Sequence, residues 1–74
     1  MCKTIGGPSN KRYCVFPFTH DKVVYNECAY DKSAGFWCPT SKTFTGYPDK
    51  RNTNWGVCGY QCPLTSKKNV STFK

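Results

Sequence analysis

A small, disulfide-rich, mostly β and irregular domain is what this sequence predicts, on three observations. Six of its 74 residues are cysteine. Its apolar residues come in short β-branched or aromatic runs between turn formers, and no stretch keeps helical apolar spacing over two turns. A chain of this length buries too little apolar surface to offset its conformational entropy comfortably, so covalent staples stand in for a thick core. One domain is the sensible count.

Residues 1–13 are polar and turn-forming and read as an irregular lead-in. Phe18 to Tyr25 (FTHDKVVY) reads as a hairpin with His20, Asp21 and Lys22 near its turn. Pro17 lies between two aromatics ahead of that hairpin, a setting in which the Phe16–Pro17 bond is expected to be cis. Residues 29–35 (AYDKSAG) read as a loop, Phe36-Trp37-Cys38 as a short strand and residues 39–54 as a long connection that strands Phe44 and Tyr47. Trp55 to Cys58 is a second short strand. Residues 59–74 form a C-terminal extension, frayed in its outer part from Pro63.

Cysteine usage this dense belongs to an oxidising compartment, so the chain reads as secreted or as the extracellular part of a membrane protein. Met1 stands directly against Cys2, with no apolar run for a signal peptide or transmembrane segment. It therefore reads as an excised module, part of a larger secreted or cell-surface protein, or as a mature form with an added start. The sequon Asn69-Val70-Ser71 agrees with export and marks Asn69 as a glycosylation candidate.

The net charge of +7 is unevenly placed. Residues 14–58 hold five basic side chains and all four acids, whereas Lys3, Lys11, Arg12, Lys67, Lys68 and Lys74 lie outside with no acid among them. Attraction to a polyanion such as heparin, or to an anionic surface, would come from these flanks.

Zinc is disfavoured, because structural sites use paired short spacings and only Cys58-x3-Cys62 is close to one. No cofactor is implied. Catalysis needs a nucleophile, a base and an orienting group, and the single histidine, His20, sits beside Asp21 at a hairpin turn. The chain does not read as an enzyme.

CVFPF at 14–18, Tyr25-x2-Cys28, Phe36-Trp37-Cys38 and Trp55-Gly56-x-Cys58 follow one another in order. This series resembles the fibronectin type II module of the kringle-like superfamily, over residues 14–58. The resemblance implies two short antiparallel two-stranded sheets around an aromatic cluster, and bonds Cys14–Cys38 and Cys28–Cys58. Six cysteines alone allow fifteen pairings. With two bonds implied, Cys2 and Cys62 remain for each other, a pair additional to the family's four cysteines that would tie the extension at Cys62.

Members of that family are non-catalytic extracellular binding and adhesion modules, and two ligand classes dominate. Some bind denatured collagen, whose extended, proline-rich chains suit aromatic grooves. Others bind the choline headgroup of phospholipids, a quaternary ammonium attracted by ring faces. The loop here reads Asp31-Lys-Ser-Ala-Gly35 where collagen-binding members carry Gly-Arg-Ser-Asp-Gly, and so looks more like the choline-binding ones. In those, tryptophans at the positions of Trp37 and Trp55 line the site, while His20 and Val57 here occupy positions of its tyrosines. The expected ligand-binding set is an exposed cluster of Trp37 and Trp55 with Tyr47 or Phe44, bordered by His20. Its partner would be an extracellular matrix protein or a choline-bearing lipid surface; nothing points to nucleic acid. Two other readings compete: docking of a protein receptor or glycosaminoglycan through the basic flanks, and a cationic membrane-active defence peptide. Against the latter, the charge lies in irregular flanks and on no amphipathic face.

Overall fold

The computed structural model describes residues 2–64. Six short strands arise: β1 (Thr4–Gly6), β2 (Phe18–His20), β3 (Val23–Tyr25), β4 (Ala29–Asp31), β5 (Gly35–Pro39) and β6 (Trp55–Cys58). They form two antiparallel sheets, the β2–β3 hairpin and a four-stranded sheet of order β1-β6-β5-β4. The larger sheet has four strands, against the two expected, because β1 from the lead-in pairs with β6 and β4 pairs with β5.

The hairpin register runs Phe18↔Tyr25 and His20↔Val23. Asp21 and Lys22 turn it with φ of 53° and 69°, the left-handed pair whose twist matches that of the strands. The Phe16–Pro17 bond ahead of it is cis.

Residues 29–35 are a second hairpin, not the expected loop. β4 pairs with β5 from Ala29↔Trp37 to Asp31↔Gly35. Asp31 closes its turn, its Oδ2 accepting the backbone N–H groups of Ser33 at 2.9 Å and Ala34 at 3.0 Å. Turn chemistry dominates the string DKSAG and hides a strand of only three residues.

The lead-in is also ordered where an irregular segment was expected. β1 pairs with β6 through Thr4↔Cys58 and Gly6↔Val57, with an irregularity between. Thr4 is buried, and its hydroxyl donates to the Ser9 carbonyl and accepts the Arg12 N–H. Lys3 bridges to Tyr13, folding the lead-in back on itself. At the other end, Cys28 N–H donates to the Pro63 carbonyl at 2.8 Å and Cys28 bridges to Leu64. Pro63 and Leu64 are thus held, not frayed; the rest of the segment expected to fray, with Lys67, Lys68, Lys74 and the Asn69 sequon, lies outside the described residues.

Two core layers result. Disulfides Cys2–Cys62, Cys14–Cys38 and Cys28–Cys58 gather in one cluster, flanked by Phe16 and Phe36. Ala29, Trp37 and Trp55 form the other, with Phe18, Tyr25, Ala34, Phe44 and Val57 packed against them. The period of two along β5 sorts side chains between the layers: Phe36 and Cys38 to the sulfurs, Trp37 to the rings.

Candidate binding site

Trp37 is the hub of the aromatic layer. Its ring centroid lies 5.3 Å from Phe18, 5.1 Å from His20, 5.3 Å from Phe44 and 6.4 Å from Trp55. His20 in turn meets Tyr47 edge-on at 5.3 Å. All five expected residues are therefore brought together, from β2, β5, β6 and the 40–54 connection.

They do not make an open platform of tryptophans. Trp37 is 0% and Trp55 7% exposed, which corrects the expectation of two exposed indoles. With one layer filled by disulfides, the indoles are the largest units available to fill the other. The long connection then folds back over them. Thr40 N–H and the Asn54 carbonyl close its base at 2.9 Å, Phe44 lies on Trp37, and the Asp49 carbonyl accepts the Trp55 Nε1–H at 3.2 Å. Trp37 Nε1–H is buried and makes no hydrogen bond. Tyr47 is exposed, whereas His20 and Phe44 are half-buried.

What remains open is a groove of ≈ 520 Å³ beside that layer. Phe16, Pro17, Phe18, Pro39 and Phe44 supply apolar walls, with Ser41 and Lys42 adding polar groups. Phe16 stacks on Phe18 at 6.1 Å and Phe18 on Tyr25 at 5.2 Å, giving a row of rings. Of the residues that line the groove, only Phe44 was an expected contact; Phe16, Pro17 and Phe18 of CVFPF were not. The signal was present, because rings on both sides of a proline cannot all point into a core this small.

A second cleft of ≈ 380 Å³ runs beside Trp55, between Pro8, Ala34, Pro48 and Asp49. Arg51 Nη2 donates to Asp49 Oδ2 at 2.8 Å. That hydrogen bond, with one from the Arg51 backbone, holds the Asp49 carboxyl below the usual carboxylate range, and the same side-chain bond raises Arg51.

All six cysteines are in disulfides, so the close sulfur groups Cys2/Cys14/Cys28/Cys62 and Cys14/Cys38/Cys58 offer no thiolate for a metal. No helix among the described residues is long and apolar enough to cross a membrane.

No solved structure matches the chain. The family model of the fibronectin type II domain matches residues 14–58, a span that contains the β2–β3 hairpin, both aromatic strands and two of the three disulfides. Matched over more than half its length by that model, and built as two small antiparallel sheets around an aromatic cluster, this chain belongs to the fibronectin type II family.

Proposed function

We propose that this domain binds an extended, proline-rich peptide of the denatured-collagen kind, laid along the Phe16–Phe18–Phe44 groove. The family supplies the coarser statement, that this is a non-catalytic binding module of the extracellular kind. The observation that carries the finer one is the groove itself. An extended peptide loses little chain entropy on binding, and apolar walls formed by rings and prolines accept its side chains and pyrrolidine faces. Ser41 and Lys42 line the same groove, and the Lys42 ammonium would donate to backbone carbonyls of such a ligand. Tyr47 and His20 extend the same aromatic surface, while Trp37 and Trp55 support it from below.

Choline is the second reading, favoured by the cleft beside Trp55 with the Asp49 carboxylate at its edge. The Arg51 guanidinium already occupies that carboxylate, and a quaternary ammonium would compete with it. Most of the indole face is also covered, which weakens the cation–ring attraction. The peptide reading is therefore preferred.

Retention of the whole chain on gelatin, choline and heparin resins, each at low and high salt, tests this. Salt-resistant retention on gelatin, lost on Phe44→Ala, is expected; binding by one groove falls in the micromolar to millimolar range, roughly −8 to −4 kcal/mol. Salt-resistant retention on choline alone would replace the peptide with the headgroup. Retention on heparin alone would move the function to the flanks.

A further inference from the structure

Both flanks of the family match build one surface. The Lys3 carbonyl accepts the Gly59 N–H at 3.1 Å, and the Cys2–Cys62 bond holds the two segments together. A Cβ at Gly59 would stand 2.7 Å from the Lys3 carbonyl oxygen, so this approach requires glycine. Between the segments lies a cleft of ≈ 390 Å³ lined by Lys3, Ile5, Tyr13, Gly59, Tyr60 and Gln61. It shares no residue with the peptide groove or with the cleft beside Trp55.

Its composition is unusual for idle surface. Tyr60 is 96% and Tyr13 54% exposed, so two flat rings face solvent. Lys3 Nζ stands 5.0 Å from the centre of the Tyr13 ring, which holds the ammonium at the cleft. Among the described residues Lys3 has no carboxylate partner; the ion pair found there is Arg51–Asp49. Lys11 and Arg12 belong to the same segment, and neither residues 1–13 nor 59–64 contain an acid.

We propose that this cleft is a second binding site, for an acidic saccharide carrying sulfate or carboxylate groups. Pyranose rings present C–H faces that lie on exposed tyrosine rings, and the tyrosine hydroxyls and the Gln61 amide donate to and accept from sugar hydroxyls. Lys3 supplies the counter-charge, and the uniformly basic segment around it raises the local concentration of a polyanion. A lipid surface is disfavoured, because the site is concave and tipped with hydroxyls, with no broad apolar face to insert. The site would give the module two independent ligands, a peptide in the groove and an acidic glycan at the flanks.

The test is titration of the whole chain with a short, size-defined, heparin-type oligosaccharide, followed by the tyrosine ring resonances at low and physiological salt. Tyr60→Ala, at a fully exposed position, should weaken binding roughly three- to tenfold without altering the fold. Lys3→Gln keeps the backbone clamp, which runs through the Lys3 carbonyl, and should flatten the salt dependence; Lys32→Gln, on the β4–β5 turn, should change neither. A Cys2→Ser/Cys62→Ser double variant should lose the saccharide yet keep its retention on gelatin, which separates this site from the peptide groove. Unchanged affinity in both Tyr60→Ala and Lys3→Gln would overturn the proposal in favour of diffuse charge attraction. Binding to anionic vesicles without binding to the oligosaccharide would overturn it in favour of a membrane surface.

Discussion

Removing the Trp37 ring would empty a space bordered by Phe18, His20, Phe44 and Trp55. Trp37→Ala should cost about 3–5 kcal/mol, the range for large aromatics cut to alanine in a core. That approaches the whole stability of a small domain, and chemical denaturation would show a chain at or near its unfolding midpoint in water. Trp37→Phe tests the indole N–H separately. It keeps most of the ring and deletes a buried donor that makes no hydrogen bond, so its cost should stay below about 1.5 kcal/mol. At the surface, the Asp49 carboxyl should titrate below the usual carboxylate range by NMR and return towards it in Arg51→Gln. A lowered folded-state value means that the pair's contribution is present above the unfolded carboxylate range and fades as the pH falls through the lowered midpoint. Both side chains face water, so salt screens that contribution.

Local signals made some elements legible in the sequence and left others hidden. The β2–β3 hairpin and β6 carry β-branched and aromatic residues between recognisable turn residues, and the structure has them over the expected residues. β4 is masked by its own turn, and β1 is three residues, Thr-Ile-Gly, with no periodicity to read. What makes β1 a strand is non-local: Gly56 on β6 leaves room for the Thr4 side chain. A Cβ there would stand 2.6 Å from both Thr4 Cγ2 and the Ser9 carbonyl oxygen. Gly56→Ala should therefore push β1 away at a cost of about 1–3 kcal/mol. Hydrogen exchange would report it as faster exchange of the Thr4 and Lys11 amides, which are bonded within the lead-in, with β2–β3 protection unchanged. The candidate site was half legible for the same reason. Residue types and order pointed to an aromatic layer, but which ring faces stay open depends on how the 40–54 connection folds back, and no local pattern encodes that.

At the scale of the whole molecule, the Cys2–Cys62 bridge has a mechanical consequence. The Cα atoms of Cys2 and Cys62 are 5.2 Å apart across a sequence separation of 60. Tension pulled between those two points runs through a single covalent link and bypasses β1, both sheets and the Phe16–Phe18–Phe44 groove. A module bound to a stretched matrix peptide, the occupant proposed above, would be loaded whenever its surroundings stretch, and this one would keep its groove in shape under a load that could strip strands from an unbridged copy. In single-molecule pulling with handles at residues 2 and 62, the oxidised chain should show no unfolding step. Once a reductant opens all three disulfides, the same segment should pay out roughly 200 Å of contour length. The thiol–disulfide balance around the protein would then decide whether it behaves as a rigid bead or as slack in the line.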